Sequence, residues 1–514
     1  MAKPNKDELV ALANEIGWFS LDDAEAAEYE QLADAVLDVL DLVDTAPLPG
    51  YARPAAREAG ARTFTPRTDA DDPLNAIVGW TDIASGDSGV LDGLRVAIKD
   101  SVSIAGIPLS LGSAAVQGYR PQVDSVVTDR ILAAGGRIVA TTNMDDFAFS
   151  GGGETSASGP IRNPHDHSRA SGGSSSGSAA ALAYTDRIDG AIGTDQGGSI
   201  RVPAAWCGVL GLKPTHGVVP YTDIVGIDAT FDHAGPMATS VDVLGRLFLA
   251  IAGPDPSDPR QRGVAFDPEP VRAALDSTAT DFAGVRVGVV AEGFSDEDPL
   301  RAATSASTRE VVEKLAAAGA QVEQVSVPEH LLGGGVAFAG FIEGMAATAL
   351  GGGNGFGWFG RYNPELAGAL NRAFHTNGQE LSPQIKLVAM LGEHLRRSKS
   401  GATYASAQNQ RPWLRAAYDR ALQSHDVLLM PTVPYTAHEI EPDLGLSARA
   451  LKGWAPLSAC TPLNMTGHPA LSIPAATADG LPVGVMLVGS HGADAKLLDL
   501  AGRYERRHGW VGLP

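Results

Sequence analysis

Three short stretches of this sequence hold residue types that can do chemistry together. Lys99 ends the apolar run RVAIK. The stretch SGGSSSGSAAALAY (171–184) sets serines among glycines ahead of an alanine-rich segment. TDQGGSIRVPA (194–204) places Gly197 and Gly198 directly before Ser199. A serine hydroxyl is a weak nucleophile until a base removes its proton. A lysine is that base only when uncharged, and burial lowers its pKa from about 10.4. At a strand end Lys99 has two readings: an amine that reaches water, or a desolvated amine that accepts a proton. Glycines admit close backbone approach, so successive N–H groups can face one concavity. The N–H groups of Gln196, Gly197, Gly198 and Ser199 would then form an oxyanion hole, with Ser199 beside it as nucleophile. Taken alone, DQGGS reads equally as a plain glycine turn.

The serine-rich stretch has several readings. It fits a helix N-cap cluster. A phosphate cradle would need a Walker lysine, and none follows. Gly173-Ser174-Ser175-Ser176-Gly177 formally matches a nucleophile elbow, but an elbow needs a strand just before it. Here NPHDHSRAS precedes, polar and strandless, so the elbow is rejected.

The run GGSSSGSAAA…GAIGTDQGGSIRVPAAWCGVLGLKPTHGVVPY resembles the amidase signature family. VAIKDSVSIAGIPLSLGS, TTNMDDFAFSG, SGPIRNP, DHAGPMA, DVLLMPTVP, NMTGHPALSIPA and GLPVGVMLVG look like family segments in the usual order, covering roughly 75 to 505. DQGGS in place of the commoner DTGGS, KPTHGVVPYTD and a helical N-terminal extension are most similar to bacterial amidases often paired with nitrile hydratases. The resemblance implies a Ser–cisSer–Lys triad. By motif position Ser199 is the nucleophile, Ser174 the bridging serine held by a non-proline cis peptide, and Lys99 the base. Ser174 lies 25 residues before Ser199, one more than in most members, and the extra residue falls in YTDRIDG. Counting by the usual spacing names Ser175; the ungapped match of GGSSSGSAAA favours Ser174.

The same resemblance implies hydrolysis of a small aliphatic or aromatic amide to an acid and ammonia or an amine through an acyl-enzyme, without cofactor. A carbamate, hydrazide, anilide or aryl ester would suit the same residues. An amidotransferase subunit that uses glutamine is a further reading. Phe149, in FAFSG, lies where members line the acyl pocket and equally reads as a core phenylalanine. Phe338 and the loop GGGNGFGWFG are expected at the pocket entrance. Asp195 and Arg201 are expected to hold the nucleophile loop by pairing, and Cys207 to pack in the core.

Strands and helices must position these groups. GLRVAIKD, the helix SVVTDRILAAGG and RIVATTN read as a βαβ unit. VRVGVVAEG, the helix STREVVEKLAAAGAQ and VEQVSVP repeat the pattern. VLLMPTVP, ALSIPA and LPVGVMLVG read as further buried strands, and DAKLLDLAGRYERRHG as a C-terminal helix. Such alternation argues α/β with helices on a mostly parallel sheet. The family likeness implies a large mixed central sheet covered by helices on both faces. Residues 143 to 240, dense in Gly, Ser, Asn and Pro, read as functional loops on a rigid scaffold. Leu32, Val36, Leu40 and Val43 recur at helical spacing within 21–44, an amphipathic helix that would cover an oligomer surface. Residues 45 to about 75 read as a linker. The chain thus divides into 1–74, extension and linker, and 75–514, the catalytic domain.

The bulk numbers set limits. At 514 residues, 44% hydrophobic and 19% charged, the chain can bury a large core. A net charge of -21 opposes binding to nucleic acid. Two cysteines, Cys207 and Cys460, fit a reducing compartment better than a disulfide framework. The N-terminus lacks a signal-peptide core, and no run of eighteen or more apolar residues appears, so a cytoplasmic protein without a membrane is expected. The twelve histidines show no HExxH, and His165-x-His167 reads as a surface-loop feature, so no metal is expected. A homodimer with a small-molecule amide as ligand is expected from the family likeness.

Overall fold

The computed structural model describes residues 3–17, 19–45, 62–261, 263–351, 353 and 359–511. Contacts divide the chain into Met1–Glu58 and Ala59–Pro514. The first unit pairs the helices Lys6–Ile16 and Asp23–Thr45. Asn5 opens the first with a capping box on Glu8, satisfying two orphan N–H groups at once. Asp22 opens the second, its carboxylate accepting from the N–H groups of Ala24 and Glu25 at 2.9 Å each. The stripe expected on this helix faces outward in the single chain: Leu32 is 57% exposed, Val36 49% and Leu40 43%. The side chain of Val43 lies outside the described residues.

The second unit is built on a twelve-stranded sheet. In chain order its strands are β1 Phe64–Pro66, β2 Ile77–Ile83, β3 Arg95–Lys99, β4 Arg137–Thr142, β5 Gly190–Asp195, β6 Leu210–Lys213, β7 His233–Ala238, β8 Arg286–Val290, β9 Gln321–Val325, β10 Val427–Pro431, β11 Ala470–Ala478 and β12 Leu481–Val488. Across the sheet they run β1-β2-β4-β3-β5-β7-β6-β11-β12-β10-β8-β9.

This arrangement corrects the expectation of a mostly parallel sheet. Only β3/β4, β3/β5, β8/β10 and β8/β9 pair in parallel. The tight turn at Asp479 and Gly480 folds β12 back on β11, and β6, β7 and β2 also enter antiparallel. Much of the linker reading, 46–61, lies outside the described residues. Phe64–Pro66, also read as linker, is an edge strand with Phe64 opposite Thr81. Pro66 is tolerated there because an edge leaves its missing N–H unneeded. Arg62 anchors the approach, its Nη2 donating to Asp124 Oδ2 at 2.7 Å.

Both faces of the sheet are buried, and strand periodicity shows how. Along β10, Val427 and Leu429 enter one core while Leu428 and Met430 enter another. Along β3, Val96 and Ile98 join the first core and Ala97 a third. Helices Val241–Ile251, Pro299–Ala317 and Asp494–His508 cover one face, and Arg201–Cys207, Glu329–Thr348 and Ala402–Ser424 the other. Among the described residues one helix, Glu329–Thr348, is long and apolar enough by composition to cross a membrane; here Ala337, Phe341, Ile342 and Met345 pack into the second core.

The glycine-rich middle is not only loop. It supplies β5, β6 and β7 and the helices Ser176–Tyr184 and Arg201–Cys207. Every residue of β5, GAIGTD, is buried, and small side chains leave room for neighbours on both faces. Gly190 shows this: a Cβ there would stand 2.4 Å from Leu247 Cδ1.

Candidate active site

Parallel strands β3 and β5 end side by side, and their last residues project the polar groups of the site. Lys99, the final residue of β3, is fully buried. Its Nζ lies 2.8 Å from Ser174 Oγ and 2.8 Å from Thr194 Oγ1. Burial pushes its pKa down to about 7, against the pull of the Asp145 and Asp195 carboxylates. The amine is therefore the desolvated one of the two readings.

Ser174 sits two residues before the helix Ser176–Tyr184, and the Gly173–Ser174 peptide is cis. Gly173 is required by contact: a Cβ would fall 1.9 Å from Asp145 Oδ2. Asp145 in turn accepts from the N–H groups of Gly153 and Thr155, both at 2.9 Å, and its own N–H donates to Ser174 O. Ser175 is occupied elsewhere. Its Oγ donates to Thr194 O at 3.1 Å and accepts from Thr194 N at 3.2 Å, while its N–H donates to Ser199 O at 3.0 Å. Ser174 is thus the serine that meets the lysine, and Ser175 ties β5 to the Ser199 backbone.

The DQGGS loop is held from behind by a fully buried ion pair. Arg201 Nη2 and Nε donate to Asp195 at 2.9 and 3.0 Å, and Asn464 Nδ2 donates to both the side chain and backbone of Asp195. Burial alone would raise the Asp195 carboxyl, but the Arg201 guanidinium holds it well below the usual carboxylate range. The same carboxylate accepts the Gly198 N–H at 2.8 Å and the Ile200 N–H at 3.1 Å. Gly198 therefore does not offer its N–H to a ligand, which removes one of the four expected oxyanion donors. The N–H groups of Gln196, Gly197 and Ser199 donate to no acceptor among the described residues. Gly198 is glycine for two reasons: its φ is +137°, and a Cβ would stand 2.7 Å from Cys460 Cβ. Gln196 is fixed by its Nε2, which donates to Tyr221 Oη at 2.6 Å.

Ser199 opens onto a cavity of about 510 Å³. Phe149 and Phe338, both expected at the pocket, line it, and Trp454 stands between them. The Trp454 ring packs edge-on against Phe338 at 5.0 Å and Phe149 at 5.9 Å, and its Nε1 donates to Phe149 O. Most of the expected entrance loop GGGNGFGWFG, namely 352 and 354–358, lies outside the described residues.

Sequence reasoning missed Trp454, Phe341, His330 and Thr461, all of which line the cavity. Thr461 Oγ1 donates to Gly197 O at 2.9 Å across 264 positions of sequence, a distance no local pattern spans. Cys207 is buried as expected, and His165 packs its Nε2 at 2.9 Å from Cys207 O.

A mixed sheet that carries a desolvated lysine on a serine hydroxyl, beside a cavity lined by Ser199 and aromatic rings, fits a hydrolytic enzyme. The chain belongs to the amidase family, whose pattern, described as Amidase, it matches over residues 79–498. It is 39% identical over 511 residues to an "Enantioselective amidase" of Rhodococcus rhodochrous, spanning 98% of this chain and 95% of that protein. It is 36% identical over 429 residues to a glutamyl-tRNA(Gln) amidotransferase subunit of Symbiobacterium thermophilum, spanning 81% of this chain and 83% of that one. Among solved structures it is similar to the corresponding amidotransferase subunit of Thermotoga maritima, with a TM-score of 0.69, 27% identity, and 87% and 91% of the two chains covered. The protein is an amidase-family enzyme.

Proposed function

We propose that the protein hydrolyses a small aliphatic or aromatic amide through an acyl-enzyme on Ser199, with Ser174 relaying protons to Lys99. The single observation that carries this reading is the 2.8 Å contact of Lys99 Nζ with Ser174 Oγ in a water-excluded setting. An uncharged Lys99 accepts the Ser174 proton as Ser174 accepts that of Ser199. The Ser199 oxygen bonds to the amide carbon, and the carbonyl oxygen takes the negative charge. Backbone N–H groups of Gln196, Gly197 and Ser199 receive that charge, each worth about 3 kcal/mol in comparable sites. The proton returns through Ser174 to the leaving nitrogen as the C–N bond breaks. Water then attacks the ester by the same relay in reverse, and the acid departs.

The match to the Rhodococcus amidase spans both units of this chain, whereas the amidotransferase relatives align over 81% to 84% of it. That favours a stand-alone amidase over a glutamine-using subunit. Buried free Cys207 and Cys460 suit a reducing cytoplasm, and the outward apolar stripe of Asp23–Thr45 suits a homodimer. The charge of -21 makes nucleic acid an unsuitable partner. No membrane partner is part of this reading.

The test is a product-release assay on the purified single chain with aliphatic and aromatic amides, carbamates, hydrazides, anilides, aryl esters and glutamine, beside Ser199→Ala. Turnover of a simple amide that vanishes in Ser199→Ala is expected. Turnover of glutamine alone, and only with added subunits, overturns the reading.

A further inference from the structure

Beside Thr466, at the C-terminal end of the helix Thr461–Thr466, three metal-ligating side chains converge from separate elements. Asp419 comes from the helix Ala402–Ser424, His468 precedes β11, and His491 follows β12. Their donor atoms lie within 4.8 Å of one another. No sequence spacing announces them, because the nearest pair is 23 positions apart.

We infer that Asp419, His468 and His491 form a binding site for a divalent first-row ion of the Zn²⁺ class. The strongest observation is His491. Its Nε2 lies 3.0 Å from the Thr466 carbonyl, an acceptor only, so Nε2 carries the proton and Nδ1 keeps its lone pair. That Nδ1 is buried and has no partner among the described residues. Pinning the far ring nitrogen on a carbonyl is how proteins orient metal-binding imidazoles. His468 is supported likewise: Nδ1 lies 2.9 Å from Thr466 Oγ1, and Nε2 lies 3.0 Å from Asp419 Oδ1. When an ion enters, the His468 proton moves from Nε2 to Nδ1, where Thr466 Oγ1 accepts it. Nε2 and Asp419 Oδ1 then both face the ion, and no net proton is released from that ring. Two imidazoles and one carboxylate suit Zn²⁺ or Co²⁺, with water completing the shell. Asp419 is 44% exposed and provides the entry path.

Two cations stand beside the site. Arg415 stands 3.6 Å from Asp419 Oδ2, leaving Oδ1 for the ion. Lys213 donates to His468 O at 2.7 Å. These cations oppose ion binding and set its affinity below that of a carboxylate-rich site.

The test uses the full-length enzyme stripped with chelator. Calorimetry with Zn²⁺ is expected to give one ion per chain, and Co²⁺ to give ligand-field bands of a low-coordinate nitrogen and oxygen site. His491→Ala is expected to weaken binding by about 100-fold and Thr466→Val by about tenfold, in line with the known effects of ligand and supporting-shell loss. Asp419→Asn, at a half-exposed position, is the second variant: saturating Zn²⁺ should raise the Tm of the native chain but not of this one. His165→Ala is expected to bind like the native chain. Absence of a stoichiometric ion in the native chain, or unchanged affinity and spectrum in His491→Ala and Asp419→Asn, overturns the assignment.

Discussion

Thr194 Oγ1 stands 2.8 Å from Lys99 Nζ, as close as Ser174 Oγ. The lysine is therefore gripped by two hydroxyls, one from the strand that leads into DQGGS and one from the serine-rich turn. Thr194→Val keeps the shape and removes one grip. A single hydrogen bond is worth about 1 kcal/mol net, close to a fivefold rate effect. Accordingly kcat should fall about fivefold with little change in KM. The lost acceptor also favoured the ammonium form, so the acidic limb of the kcat/KM profile should move to lower pH. An unchanged kcat and profile would show that Thr194 does not position the amine.

Lys99 itself sets the pH dependence. Its folded pKa of about 7 lies below its ordinary value of 10.5, so the neutral amine accumulates as pH rises through 7. We expect kcat/KM to climb through that region and level off above it; full activity at pH 4 would contradict a proton-accepting lysine. The same shift opposes folding. Below pH 7 the folded state carries the full desolvation penalty, which fades as pH approaches 10.5 and the unfolded lysine also loses its proton. Lys99→Met should thus lose activity by about 10³-fold yet resist denaturant better at pH 7, by an amount on the order of a few kcal/mol, with the gain shrinking toward pH 10.5.

What could be read in advance follows from how local each signal is. The local residues left Lys99 with two readings and DQGGS equally a plain turn; it was the family resemblance, carried by long runs of sequence, that named Lys99 and Ser199. The choice between Ser174 and Ser175 rested on motif alignment, since an extra residue in YTDRIDG upset the spacing; the contacts of Ser175 with Thr194 give the physical reason. The donor count at DQGGS was not legible, because only the fold shows Asp195 accepting the Gly198 N–H. Apolar runs marked β3, β4 and β8 to β12, but β1, β2 and the Gly-rich or short β5, β6 and β7 went unread, and strand direction was not legible in those runs. Whether VGVMLV lies parallel or antiparallel to its neighbours depends on the hairpin at Asp479 and Gly480, not on its own pattern.

Ser174 and Ser175 should separate cleanly in measurement. Ser174→Ala removes the hydroxyl facing Lys99 and is expected to cut kcat by about 10³-fold, within the range for lost acid–base relays, with Tm little changed. Ser175→Ala strips the partner of Thr194 N and O, both buried. An unsatisfied buried group costs about 1–3 kcal/mol, so this variant should lose stability in chemical denaturation and only part of its activity. A reversal, with Ser174→Ala active and Ser175→Ala dead but stable, would reassign the relay.

The Asp195–Arg201 pair lies entirely out of water, both side chains at 0% exposure. Removing one partner of such a pair strands a charge, at a cost of about 3–5 kcal/mol. Arg201→Met should lower stability by that order. It should also lower kcat, because Asp195 orders Gly198 and Ile200 beside the nucleophile. Replacing both partners, Asp195→Asn with Arg201→Met, should recover part of the stability without recovering activity. Urea titration of the single and double variants checks the sign, and additive losses would refute the coupling.

Trp454 offers the clearest test of what the cavity selects. Its ring bridges Phe149 and Phe338, and its indole N–H is tied to Phe149 O at 3.2 Å. A flat aromatic acyl group entering the cavity meets these rings, and each aromatic contact is worth about 0.5–1.5 kcal/mol beyond the area it buries. A short aliphatic acyl group reaches Ser199 without needing them. Trp454→Ala should therefore raise KM for aromatic amides by about tenfold or more, while changing KM for short aliphatic amides by much less. The Phe149 backbone also loses a donor, so Trp454→Phe, which keeps the ring but not the N–H, separates the two roles. Near-native KM for aromatic amides in Trp454→Phe assigns the selectivity to ring contact; an equal loss in both variants assigns it to the tether on Phe149. Equal losses for aromatic and aliphatic amides in Trp454→Ala would remove the indole from substrate selection altogether.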